Sequence, residues 1–167
     1  MGTTLLPEEI VADLLRQRSL TLATAESLTG GMLGELVTSV PGASTFYLGG
    51  MITYATEAKR DVLGVSPDTL GTEGPVSCRT ACEMAARVSE RFGSAIGVST
   101  TGVAGPTMQD GHPVGTLYVG LSYGGRVRCL PFHGPGGSRD EIRRWAARTA
   151  LDAVVRAVRD PERGDDR

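Results

Sequence analysis

The sequence predicts an α/β chain folded as a three-layer α/β/α sandwich, its sheet mostly parallel with one antiparallel strand. Up to residue 100, short apolar runs of strand character alternate with amphipathic helical runs. From Gly115 onward two strand-like runs follow one another around Gly124-Gly125, the signature of a hairpin. The length of 167 residues, without an internal repeat or linker, corresponds to one domain, placed at residues 1–160.

From Pro7, "PEEIVADLLRQRS" puts Ile10, Val11, Leu14 and Leu15 on one face, with proline and two acids in the first turn, where a helix accommodates them. Leu20 to Ala25 reads as a short strand, followed by a Ser/Thr/Gly turn and the helical pattern Met32, Leu33, Leu36, Val37. Met51 to Tyr54 reads as a strand that leads into a short helix stopped by Gly64. A long alanine-rich helix is expected from Ser77, its cap, to Phe92, then a buried strand from Ala95 to Thr100. Gly115 to Ser122 and Arg126 to Phe132 form the hairpin, and Asp140 to Val158 the last amphipathic helix. The tail at 161–167 has no apolar residue besides its proline, so disorder is expected there.

The formal net charge of −2 lacks the positive field of a protein that tracks nucleic acid, so none is expected as partner. No run approaches the roughly 20 apolar residues of a membrane span. The N-terminus carries Glu8, Glu9 and Asp13 instead of a basic-then-apolar signal, so a cytoplasmic protein with no membrane partner is expected. Cys78, Cys82 and Cys129 read as no disulfide framework. Cys78 and Cys82, four apart on a helix, read as packing residues; with only two histidines in the chain, no metal site is expected.

In an α/β sheet, ligands gather at the carboxyl ends of strands. Ser27, Tyr54 and Thr101 each fall at such an end. Ser27 stands at a strand-to-helix turn beside the N–H groups of Leu28 to Gly31, which could hold an oxyanion or a phosphate. A helix-capping role for Ser27 or Thr29 fits the same turn. Sixteen of the seventeen lysine and arginine residues are arginine, and Lys59 is the lone lysine. What lysine can do and arginine cannot is lose its proton. At an ordinary pKa near 10.4 only ~0.04% of a lysine is neutral at pH 7, and half-neutralising it costs about 4.6 kcal/mol, which burial can supply. A buried lysine beside a serine activates the hydroxyl; a solvated helix face is the other reading of the same residue. A phosphate-loop reading fails because Lys59 lies between Ala58 and Arg60, and the glycine spacing of "ESLTGGMLG" excludes a dinucleotide fingerprint.

Six stretches taken in order, "AESLTGG", "PGAS" with "GGMITYATEAK", "GPVS", "TTGVAGP", "PVGTLYVGL" and "SRDEIRRWA", resemble the competence/damage-inducible CinA C-terminal family, the nicotinamide-nucleotide amidases. The similarity runs over roughly residues 8 to 158 with the spacing kept. It implies a CinA-like sandwich and hydrolysis of nicotinamide mononucleotide to nicotinic acid mononucleotide and ammonia, with no metal or organic cofactor. It also implies the catalytic set Ser27, Lys59 and Tyr54. For substrate binding it implies Thr101, and Arg139 or Arg143 for the phosphate; Thr29, Gly30, Gly31, Gly50 and Gly102 are further candidate substrate-binding residues. The expected partners are a small nucleotide substrate and, in a homo-oligomer, further copies of the chain. The chain departs from the family pattern at Leu28 (usually Cys), Ala55-Thr56 (usually Ser-Asn), His112 (often Lys) and Ser138 (usually Asp). Two alternatives stay open at this point: a non-catalytic nucleotide-binding or sensing module, and an amidase for another small amide.

Overall fold

The computed structural model describes residues 5–161. Helix α1 (Pro7–Arg18) has proline in its first turn and ends at Ser19 in the left-handed region. It is followed by β1 (Leu22–Glu26), α2 (Met32–Thr38) and β2 (Tyr47–Ile52). Next comes a short helix, α3 (Thr56–Ala58), that widens into a π turn over Lys59–Leu63, then α4 (Pro67–Thr72) and α5 (Cys78–Phe92). Strands β3 (Ile96–Gly102), β4 (Thr116–Tyr123) and β5 (Arg126–His133) and the long α6 (Arg139–Arg159) complete the chain. Helix α5 begins where expected, with the Ser77 hydroxyl accepting from the Thr80 N–H. Helix α4 escapes sequence reading because one turn and a half containing Gly71 shows no period. Strand β2 begins four residues before Met51 because Gly49-Gly50 dilutes its pattern. Apart from Pro161, the expected tail lies outside the described residues.

The sheet runs in the order β2-β1-β3-β4-β5. Strands β2, β1 and β3 are mutually parallel; β4 is antiparallel to β3 and to β5, so β4 alone runs against the rest. This is the expected mixed sheet. Helices lie on both faces, and strand alternation decides which side chain each face receives. In β1, Leu22 joins the larger core with α1, α2 and α6, to which Leu15, Leu33, Leu151 and Val154 contribute. Ala23 and Ala25 point the other way, into a smaller core with Leu63, Val65, Met84 and Val88. In β3, Ile96 and Val98 join the larger core. Gly97 and Ser99 lie under α5, where a Cβ at Gly97 would stand 2.1 Å from the Ala85 carbonyl and the Ser99 hydroxyl donates to the Ala81 carbonyl. Each fully buried Leu, Val or Ile contributes about 1.5–3 kcal/mol, and both faces of the sheet draw on this.

One expectation is overturned. Cys78 and Cys129 form a disulfide across 51 residues, with Cα atoms 5.3 Å apart, and only Cys82 is a free thiol. Register explains the pairing. Cys129 on β5 stands opposite Gly120 on β4. A Cβ at Gly120 would meet the Ala81 carbonyl of α5 at 1.9 Å, so Cys129 faces α5, whose first residue is Cys78.

Reduction, or the paired change Cys78→Ser with Cys129→Ser, is expected to lower the unfolding free energy by about 2–4 kcal/mol, because the unfolded chain regains the freedom of a long loop. Urea melts with and without dithiothreitol measure this; coincident midpoints would mean that the bridge contributes no stability.

Candidate active site

The alternation that builds the two cores also builds the site. Glu26, the last residue of β1, follows the parity of Leu22 and turns toward α2. There its carboxylate accepts the N–H groups of Gly31 (3.0 Å), Leu33 (3.0 Å) and Gly34 (2.9 Å). Gly30 and Gly31, with φ of 55° and 104°, supply the left-handed backbone that brings the chain round onto this carboxylate. Ser27 is the next residue and follows the parity of Ala23 and Ala25, toward the π turn. Its hydroxyl meets the amine of Lys59 at 2.9 Å.

Lys59 is 1% exposed. It lies where the helix passes from α to π spacing, a local widening often found at functional sites. Both Lys59 and Leu63 face inward there, while Arg60, Asp61 and Val62 face solvent. The amine has three oxygen neighbours, all neutral: Ser27 Oγ, the Thr53 carbonyl at 2.8 Å and the Tyr54 carbonyl at 3.3 Å. Burial disfavours the ammonium and lowers the Lys59 pKa to about 8. About a tenth of the lysine is then neutral at pH 7, against ~0.04% for an exposed one. In the neutral amine, two N–H bonds serve the two carbonyls and the lone pair is left for the serine proton. The chemical capacity of this pair is to deprotonate Ser27.

The two residues border a cavity of about 260 Å³ at the carboxyl ends of β1 and β3. Tyr54, Thr101, Gly102 and Arg139 line it too. Tyr54 is 56% exposed, and its phenol oxygen accepts from Arg139, which also donates to the Gly105 carbonyl. That leaves the Lys59–Ser27 contact direct, with the Tyr54 phenol at the mouth. Thr101 faces the α5 side, and its hydroxyl donates to the Pro75 carbonyl at 2.6 Å. Thr100, of opposite parity, has its hydroxyl 2.8 Å from that of Thr29. The hydroxyls that precede the glycines thus serve both faces of β3.

The remaining candidates stand outside the cavity. Gly50 lies within β2 on the α2 face, and a Cβ there would strike the Thr24 hydroxyl at 2.2 Å, so its glycine is a packing requirement. Thr29 is fully buried. Arg143 donates to the Leu28 and Thr29 carbonyls at 3.1 and 2.9 Å and pairs with Asp140. Two contributors escaped sequence reading: Glu26, and the Pro75-Val76 wall. A carboxylate directly ahead of a Ser-x-Thr-Gly-Gly helix start is a capping signal that points to Glu26; the wall leaves no such trace.

Among the described residues no group of three or more His, Cys, Asp or Glu side chains is placed to hold a metal ion, and no helix is long and apolar enough to cross a membrane.

Comparison with known proteins agrees with this architecture. The chain is 50% identical over 151 residues to a CinA-like protein of Frankia casuarinae, covering 90% of this chain and 35% of that one. It is 41% identical over 154 residues to a putative competence-damage inducible protein of Clostridium acetobutylicum, covering 90% and 37%. The chain therefore spans about a third of the length of these relatives. A crystal structure of a CinA superfamily protein from Klebsiella pneumoniae superposes with a TM-score of 0.88 at 30% identity, covering 93% of this chain and 99% of that one. The competence/damage inducible protein CihA of Agrobacterium tumefaciens gives 0.84 at 33%, covering 94% and 99%. The model of the CinA C-terminal domain matches residues 6–158, and the chain belongs to that family.

Proposed function

We propose that the chain is an amidohydrolase that converts nicotinamide mononucleotide to nicotinic acid mononucleotide and ammonia, with Ser27 as nucleophile and Lys59 as its base. The observation that carries this reading is the buried lysine amine, 2.9 Å from the serine hydroxyl and surrounded by neutral oxygens. Ser27 Oγ attacks the carboxamide carbon while its proton passes to Lys59 Nζ. The carbonyl oxygen becomes an oxyanion, for which the turn that follows Ser27 offers a backbone donor. Gly31, Leu33 and Gly34 are committed to Glu26, Gly30 donates to the Ser27 carbonyl and Thr29 lies outside the cavity, which points to Leu28, a residue of the cavity wall. Collapse breaks the C–N bond, and Lys59 returns the proton to the departing nitrogen so that ammonia leaves. Water then adds to the ester carbon with Lys59 again as base, releasing the carboxylate and restoring Ser27.

The choice of a nucleotide amide rests on the CinA resemblance and on Arg139. This cation stands at the cavity wall and at the first position of α6, where the helix end already favours an anion.

Ser27→Ala is expected to abolish ammonia release from nicotinamide mononucleotide while substrate still binds, because the covalent route is lost with little packing. Near-wild-type release would remove Ser27 from the mechanism. A panel of other small amides tests whether the nucleotide is the preferred substrate.

Lys59→Arg should inactivate nearly as fully as Lys59→Ala, since a guanidinium holds its proton at neutral pH. In the wild type the base form is the neutral amine, so kcat/KM should rise about tenfold per pH unit below pH 8 and level off above it. A profile flat from pH 6 to 9 would assign the base elsewhere.

Arg139→Ala should raise KM for nicotinamide mononucleotide and leave the dephosphorylated riboside much less affected, because the lost contact is to phosphate. Equal losses on both substrates would place the phosphate away from Arg139.

A further inference from the structure

The carboxyl end of β3 holds a backbone donor that the fold does not use. In a strand, the N–H and C=O of one residue point to the same edge, and those of the next residue to the other. Val103 N–H donates to the Thr116 carbonyl of β4, so the odd residues of β3 face β4. The even residues face β1: Ile96 N–H donates to the Thr21 carbonyl at 2.9 Å, and at the far end the Thr100 carbonyl accepts the Ser27 N–H at 2.9 Å. The next group along that edge is the N–H of Gly102, one step beyond the bond that ties Ser27 to the sheet.

Continued by one link, the β1–β3 register would give this N–H to the Ser27 carbonyl. The chain turns there instead, and the Ser27 carbonyl accepts the Gly30 N–H at 3.0 Å. Among the described residues the Gly102 N–H donates to no acceptor. Gly102 is nevertheless buried, and it lines the same cavity as Ser27, Leu28 and Lys59. A buried backbone N–H without a partner is rare in a folded chain, and one that borders a cavity is placed for a ligand. Its direction is fixed from behind. C=O and N–H of a planar trans peptide point in opposite directions, and the carbonyl of this peptide is that of Thr101, which stands opposite Tyr118 of β4. A Cβ at Gly102 would lie 2.2 Å from the Thr116 carbonyl oxygen, so β4 admits only glycine at this point. The Leu28 N–H repeats the arrangement: the Ser27 carbonyl of its peptide is held by Gly30, and among the described residues it too has no acceptor.

We propose that the backbone N–H of Gly102 is the second donor of the oxyanion site, acting with that of Leu28, so that the hole is built from the end of β3 and the turn after β1. The proposal rests on the serine-nucleophile part of the reading above and is independent of which acyl compound is the substrate. Both donors are oriented before charge develops, by bonds on the far side of their own peptides, so no reorganisation is needed as the oxyanion forms. Two donors from separate elements also fix where the oxygen sits relative to Ser27, which a single one does not.

The test uses the whole isotope-labelled chain and phenylboronic acid, which carries neither phosphate nor amide. Ser27 Oγ adds to the trigonal boron while its proton passes to Lys59 Nζ, and the boron becomes a tetrahedral anion with an oxygen where the oxyanion would stand. The boron resonance reports the adduct, and Ser27→Ala is the blank. In the adduct the amide protons of Leu28 and Gly102 should move downfield together, as N–H groups do on gaining a charged acceptor, while those of Gly31, Leu33 and Gly34 stay with Glu26. Replacing Gly102 by glycolic acid during in vitro translation removes this N–H alone, and should slow acylation of Ser27 by p-nitrophenyl acetate by roughly 100–1,000-fold. A tetrahedral adduct that leaves the Gly102 amide unmoved, or moves those of Ala104 or Gly105 instead, overturns the proposal and leaves the serine reading standing. So does wild-type acylation in the glycolate variant. Should that variant fail to fold, by circular dichroism, the boronate shifts of the native chain decide; should an active chain take up no boronate, the glycolate rates decide. No adduct, no acylation and no ammonia release would sink the serine reading and this proposal with it. Both amide shifts without ammonia release from nicotinamide mononucleotide would sink the amide reading alone and support the oxyanion site.

Discussion

The contact between Lys59 and Ser27 is the constraint on which the rest of the architecture depends. An ammonium taken out of water without a counter-ion is costly, and proteins relieve that cost by pairing the charge or shedding the proton. Here the three neighbours of the amine are a hydroxyl and two carbonyls, none of which carries a charge. The cost is met by a pKa lowered to about 8. A carboxylate beside the amine would have raised that pKa and removed the base. The nearby buried carboxylate, Glu26, belongs to the opposite parity of β1 and is engaged by three backbone N–H groups of α2.

Strand parity thus separates a carboxylate from the hydroxyl that follows it in sequence. Glu26 and Ser27 are consecutive, yet one organises the helix start on the α2 face while the other meets the lysine on the α5 face. The same division recurs at the end of β3, where Thr100 turns to Thr29 and Thr101 to Pro75. A one-residue slip of β1 against β2 and β3 would exchange these roles; the facing of β3 and β4 is fixed separately, by close glycine contacts. At Gly97 and Gly120 the backbone of α5 lies where a Cβ would stand, so any register that put a side chain under α5 at those points would push the helix off the sheet.

Much of this was legible in the residues, and what was not has identifiable causes. The layer order followed from the alternation of period-2 and period-3.6 patterns, and Lys59 stood out because arginine takes every other cationic position. The placement of Gly50 and the Cys78–Cys129 bridge were not legible, because both depend on which residues the sheet register brings face to face. A glycine that gives way to a tyrosine–threonine hydrogen bond looks in sequence the same as one that admits a ligand. Cys78 and Cys82 read as packing residues on one helix, whereas Cys78 bonds to a strand residue 51 positions away.

The roles of Arg139 and Arg143 show the limit of sequence spacing most clearly. Four residues apart on one helix, they share a face, and both were candidates for the same anion. What separates them is what each guanidinium meets at its end. Arg139 reaches a phenol oxygen and a loop carbonyl while lining the cavity. Arg143 meets two successive carbonyls whose spacing matches the guanidinium fork, and this commits it to the backbone. A planar cation that cannot lose its proton suits the task of holding a turn still, and a flexible amine that can lose it suits the exchange with Ser27. At the site, the fixed charge of Arg143 meets two backbone carbonyls and the lone lysine meets the serine, so of these two cations the one able to give up its proton near neutral pH is the one set beside a hydroxyl.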